Sequence, residues 1–134
     1  MPTFSINDLL NAVGGQAINV HDLTISFDRI VTDSRTVRPG DLFWAIPGAV
    51  HDGHTYITEA DRRGAVASVA EPDRLTQPNT PLIGVSDARH ALTDFAAWHR
   101  TQLDTLVIGV TGSVGKTTTR HLLHTVLKQR FAGI

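Results

Sequence analysis

The chain has 134 residues, 41% of them hydrophobic and 19% charged, with a formal net charge of −1 and no cysteine. This suffices for one ordinary domain, or a small domain with part of another, and excludes disulfides, thiolate catalysis and cysteine-ligated metals. Scattered Lys and Arg give no basic face for nucleic acid. No apolar run approaches the ~20 residues of a membrane span, and MPTFSINDLL lacks the regions of a signal peptide, so a soluble cytoplasmic protein is expected.

Ser5 with Asp8 three residues on is a variant capping box, and Leu9, Leu10 and Val13 predict an amphipathic helix that stops at Gly14-Gly15. A short strand is expected around Leu23 to Phe27. Ile30-Val31 ends another and leads into the polar turn Thr32-Asp33-Ser34-Arg35. Pro39-Gly40-Asp41 is a turn signal, and Leu42 to Ile46 reads as a buried strand. Pro47 to His54 is a glycine-bearing loop, followed by a short helix over Thr55 to Arg63 and a small-residue strand over Ala65 to Ala70. Glu71 to Pro81 carries three prolines and reads as a loop, and Leu82 to Val85 as a strand. Ser86-Asp87 caps a helix that buries Ala91, Leu92, Phe95, Ala96 and Trp98. Strands alternating with short helices make this an α/β chain.

The most informative stretch is TLVIGVTGSVGKTTTRHLLHTVLKQR, Thr105 to Arg130. Leu106, Val107, Ile108 and Val110 predict a buried strand. Thr111 to Gly115 is a glycine turn, and Thr119, Leu122, Leu123, Val126 and Leu127 share one face of a helix. Strand, glycine turn, Lys-Thr and helix form the arrangement that holds a polyphosphate. Backbone N–H groups approach the phosphates, and the helix N-terminus adds partial positive charge. Lys116 can reach the terminal phosphates and the Thr117 hydroxyl can ligate Mg²⁺. The general P-loop pattern has a glycine where this chain has Val110. A P-loop domain also needs several further strands, whereas only Phe131 to Ile134 follow, so a truncated second domain is expected.

Asp33, Ser34 and Arg35 sit where α/β folds place ligands, and the hydroxyl and guanidinium among them offer donors to a phosphate or a nucleoside; a capped turn with an exposed Arg is the plainer alternative. His51 and His54 have no third ligand at metal spacing, so no metal is expected there. Trp44 and Trp98 are expected in the core, and His121 and His124 on a solvent face.

Together, TDSRTVRPGDLFWAIPGAVHDGHTYITEADRRGAVASVAE and GVTGSVGKTTT resemble the Mur ligases, ATP-dependent enzymes that build the peptide of the peptidoglycan precursor. The second motif is similar to the family's own phosphate loop, TG-x-x-GKT, which accounts for Val110. The resemblance implies a uridine-nucleotide-binding domain over residues 1–86, a connecting helix and lead-in over 87–104, and the start of a central ATP-binding domain over 105–134. It implies ATP held by Thr111, Gly112, Ser113, Val114, Gly115, Lys116, Thr117 and Thr118, with Lys116 catalytic and Mg²⁺ on Thr117. Ser34, Arg35, Ala49, Val50 and His51 would hold a UDP-MurNAc-peptide.

The family's chemistry passes through an acyl phosphate that an incoming amine attacks. DARHALTDFAAWHRTQ and Arg120 resemble more the member adding D-alanyl-D-alanine than the one adding the third residue, and a monomer is expected. The family also requires a metal-binding glutamate, a modified lysine and a C-terminal domain, for which this chain has no room, so it is expected to be inactive in ligation by itself. A non-catalytic nucleotide-binding module is the alternative.

Overall fold

The computed structural model describes residues 3–76 and 79–131, and the chain divides into two compact units after Leu103. Gln77, Pro78 and residues 132–134, parts of the expected loop and of the expected second domain, lie outside the described residues.

The first unit begins with β1 (Phe4–Ser5) and α1 (Ile6–Val13). The capping box forms as the sequence implies: the Asp8 backbone N–H donates to Ser5 Oγ at 3.1 Å, and the Ser5 N–H donates to Asp8 Oδ2 at 2.9 Å. β2 (Gln16–Ile18) follows, then β3 (Ser26–Phe27), which pairs antiparallel with β1. The strand expected over Leu23 to Phe27 is cut to these two residues. The Leu23 and Ile25 carbonyls instead accept the Asn7 and Ile6 N–H groups, both at 3.0 Å. They satisfy donors of the first turn of α1 that have no partner within the helix.

The main sheet adds β4 (Ile30–Val31), β5 (Leu42–Trp44), β6 (Ala67–Ala70) and β7 (Leu82–Gly84) in the order β2-β7-β6-β5-β4. β4 to β7 run parallel, while β2 is an antiparallel edge on β7. β5 is buried on both faces, as a central parallel strand requires, hence its continuous apolar run. Leu42 and Trp44 point to a layer with Ile6, Leu9, Phe27 and Phe95; Phe43 and Ala45 point to the other, with Val31, Ile57 and Ala60. Helices therefore cover both faces: α1 and α3 (Ala88–Thr101) on one, α2 (Ile57–Arg62) on the other. The α/β expectation holds, with a mixed rather than purely parallel sheet.

Helix boundaries follow their caps. A 3₁₀ turn at Gly53–Tyr56 precedes α2, because Asp52 accepts the His54 N–H at 3.0 Å and starts the turn before the expected Thr55. Asp87 caps α3, accepting the Arg89 and His90 N–H groups at 2.8 and 2.9 Å. Trp44, wholly buried, donates its indole N–H to the Ala88 carbonyl at 2.7 Å and joins β5 to that helix. Trp98 is half-buried against the same core.

In the second unit, α4 spans Lys116–Leu127. Here one expectation fails. Leu106 to Val110 form no strand, and Leu106 is 82% exposed, because a ladder needs a neighbour and none pairs with this segment among the described residues. The apolar face of α4 is likewise uncovered: Leu122 and Val126 are exposed and Leu123 and Leu127 only half-buried.

Candidate functional site

β4 and β5 are adjacent and parallel, so their C-terminal ends lie side by side and the segments leaving them line one crevice. Thr32 to Arg35 leave β4; Ile46, His51 and Gly53 come from the segment beyond β5. Together with Tyr56 and Glu59 they line a cleft of about 460 Å³.

Gly53 fits this place because it touches the backbone of the strand exit. Its N–H donates to the Ile46 carbonyl at 3.0 Å, and a Cβ there would lie 2.7 Å from the Ile46 nitrogen. Asp33 caps a 3₁₀ turn over Ser34–Thr36 by accepting the Arg35 N–H at 3.0 Å. The same carboxylate takes the Arg35 guanidinium on both oxygens, with Nε at 2.9 Å from Oδ1 and a terminal nitrogen 2.7 Å from Oδ2. Hydrogen bonds from the Arg35 side chain, then from its backbone, lower the Asp33 carboxyl to about 2.

Ser34, almost completely buried, donates from Oγ to Glu59 Oε2 at 2.9 Å. Glu59 Oε1 accepts from Arg63 Nε at 3.0 Å, and Arg63 donates to the Arg35 carbonyl at 3.1 Å. The 3₁₀ turn and α2 are thus joined by a closed chain of side chains.

A second cluster braces the loop that bears His51 and Gly53. Buried His54 contacts Asp52 Oδ1 through Nδ1 at 2.6 Å, and its Nε2 accepts the Glu71 N–H at 3.0 Å. That acceptor role puts the ring proton on Nδ1. Glu71 Oε1 accepts the Ala88 N–H at 3.0 Å while Oε2 pairs with Arg74. The Ala88 N–H, more than any other contact, holds the Glu71 carboxyl below its ordinary value. Arg89 donates to the Pro47 carbonyl at 2.7 Å and ties the far end of this loop to α3.

Of the residues expected to hold substrate, Ser34, Arg35 and His51 meet in the cleft. Ala49 and Val50 do not line it: both are exposed, Val50 at 86%. Sequence reasoning missed Glu59, whose one signal was an acid in the first turn of a short helix, indistinguishable from a capping charge. It also left Tyr56 and Ile46 outside the site.

In the second unit, Gly112 and Gly115 have φ of +148° and +82°, which L side chains rarely adopt. Gly115 is the N-cap of α4 and no side chain caps that end, leaving the first-turn N–H groups to an outside acceptor. Lys116 folds back to donate from Nζ to the Gly112 carbonyl. Lys116, Thr117 and Arg120 line a recess of about 260 Å³ with Ile108 and Val110. Thr111, Gly112, Ser113, Val114, Gly115 and Thr118 lie outside the lining of this recess, and all six are exposed on the turn and the helix start.

The model of the Mur ligase family, catalytic domain, matches residues 26–100, more than half of the chain. The UDP-N-acetylmuramoyl-L-alanyl-D-glutamate–2,6-diaminopimelate ligase of Geobacter sulfurreducens is 39% identical over 131 residues, covering 96% of this chain and 25% of that protein. A solved UDP-N-acetylmuramoylalanyl-D-glutamyl-2,6-diaminopimelate–D-alanyl-D-alanyl ligase from Acinetobacter baumannii superposes with a TM-score of 0.85 at 29% identity, over 97% of this chain and 29% of that one. The MurF ligase of Thermotoga maritima, solved in complex with ADP, gives 0.67 at 40% identity, over 76% of this chain and 23% of its own. The chain therefore spans about a quarter of the length of the curated relatives it matches. By sequence model, sequence identity and fold, the chain belongs to the Mur ligase family.

Proposed function

We propose that the crevice beyond β4 and β5 binds the uridine nucleotide of a UDP-MurNAc-peptide, and that the glycine turn before α4 binds ATP. The chain would thereby contribute to ATP-dependent amide-bond formation in peptidoglycan precursor synthesis. The observation that carries the first part is the junction of Ser34, Glu59 and Arg63 beside the apolar walls Ile46 and Tyr56. A few fixed polar groups against an apolar wall are what a nucleotide site needs. His51 reaches the same cleft from the loop held by His54 and Arg89.

The second part is supported by two positive-φ glycines and by a helix start without a side-chain cap. The backbone N–H groups of this turn and Lys116 would take the β- and γ-phosphates, and the Thr117 hydroxyl would ligate Mg²⁺. ATP would supply the phosphoryl group that activates a substrate carboxylate, leaving as ADP; these residues would orient and neutralise it. The T. maritima relative was solved with ADP, which supports an adenine nucleotide as a ligand of the family.

We further propose addition of D-alanyl-D-alanine as the step served, in line with the activity named for the A. baumannii structure. Addition of the third amino acid is the second reading, favoured by the 39% identity to the G. sulfurreducens ligase. Calorimetric titration with UDP-MurNAc-dipeptide, UDP-MurNAc-tripeptide and Mg-ATP tests all three parts. Binding of the muramoyl peptides weakened about tenfold by Ser34→Ala supports the crevice, and the tighter of the two peptides indicates the step. Loss of Mg-ATP binding in Lys116→Ala supports the turn; no muramoyl-peptide binding at all would overturn the crevice assignment.

A further inference from the structure

We infer that Glu59 fixes the polarity with which Ser34 meets its ligand, so that the group seated on Ser34 Oγ is a hydrogen-bond donor of the nucleoside and not a phosphate oxygen. The inference rests on the uridine-nucleotide reading above and specifies it.

A serine hydroxyl has one proton and two lone pairs. Ser34 gives its proton to Glu59 Oε2 at 2.9 Å. Glu59 cannot give one back: its other oxygen accepts from Arg63 at 3.0 Å, and a carboxylate paired with a guanidinium only accepts. Arg63 also holds the Arg35 carbonyl, so the carboxylate, the serine and the turn are fixed together. Ser34 is 5% exposed, which leaves little room for water to replace Glu59 as the proton's partner. What the serine presents to the cleft is therefore lone pairs.

A phosphate oxygen would bring a further acceptor against those lone pairs, and no proton is free to lie between them, because the Asp33 and Glu59 carboxylates of the cleft are themselves engaged by Arg35 and Arg63. That contact is repulsive. An N–H of a base or an O–H of a ribose complements it instead. Ile46 and Tyr56 supply the apolar surface that a base ring covers. Glu59 is thus a positioning residue that selects the nucleoside half of the ligand at this point of the crevice.

The test compares Ser34→Ala with the unaltered chain by calorimetry, using uridine, UDP and inorganic pyrophosphate as probes. The expected result is a loss of about tenfold for uridine and for UDP alike, with pyrophosphate unaffected. Glu59→Gln, which keeps an acceptor oxygen beside Ser34, stays within about threefold of wild type. A penalty seen with UDP and pyrophosphate but absent with uridine overturns the inference. A ligand-free arm separates this from the uridine reading: proton NMR at low temperature is expected to show a slowly exchanging Ser34 hydroxyl proton, lost in Glu59→Leu. If that signal is present but none of the probes binds, the uridine-nucleotide assignment fails, and the nucleoside contact with it. If ligands bind but Glu59→Leu leaves the hydroxyl proton unchanged, the polarity is wrong and the assignment stands.

Discussion

Gly53→Ala probes the junction on which the crevice depends. The added Cβ would sit 2.7 Å from the Ile46 nitrogen, 2.9 Å from the Ala45 Cα and 3.0 Å from the Ala45 carbonyl carbon. All three are backbone atoms of a buried strand exit and cannot rotate away, so the loop must retreat by most of an ångström. That retreat would break the Gly53 N–H bond to the Ile46 carbonyl, now 3.0 Å. Overpacking costs about 1–3 kcal/mol and the broken hydrogen bond about 1 kcal/mol. A total of about 2–4 kcal/mol lowers the melting temperature by roughly 10 °C or more for a unit of this size. Circular dichroism melting reads this directly, and uridine-nucleotide affinity falls with it because His51 rides on the same loop. A melting temperature within about 2 °C of wild type would show that the loop does not approach β5 so closely, and would refute the reasoning.

Trp44→Phe removes the buried indole N–H and leaves the Ala88 carbonyl without it; a loss of about 1–3 kcal/mol is expected in urea unfolding, with the slope unchanged. Asp33 is held at about 2 in the folded state, below its ordinary value. Its contribution to stability is therefore complete above about pH 4 and is lost as the pH falls through about 2. Arg35→Gln should return this carboxyl towards about 4, as carbon-detected NMR titration would show. Lys116→Ala is expected to weaken Mg-ATP binding by tenfold or more, roughly the strength of one charge-assisted contact, and to leave uridine-nucleotide affinity unchanged. An equal fall in both would argue against separate sites.

The parts legible in the sequence are those with a local cause. The capping box of Ser5 and Asp8, the Asp87 cap and the continuous apolar run of β5 each follow from neighbours in sequence, and each formed. β1 and β2, two and three residues long, are too short to carry a period. Leu106 to Val110 look like a strand because their composition suits one, but a strand is completed by a partner that sequence composition does not supply. The crevice was half visible. Ser34 and His51 flank strands and drew attention for that reason, whereas Glu59 acquires its role only when folding brings it to a serine 25 positions away. The His54 cluster shows the same limit: nothing local marks which histidine of the loop has a structural role, and His54 braces that loop through Asp52 and the Glu71 backbone.

The most direct test of the central claim is a titration of the isotope-labelled chain with UDP-MurNAc-tripeptide, followed by backbone amide shifts. The account predicts that the largest changes fall on Thr32 to Arg35, His51, Gly53 and Glu59, with the turn at Thr111 to Gly115 unmoved. Changes confined to that turn, or none at millimolar ligand, would contradict a uridine-nucleotide site beyond β4 and β5.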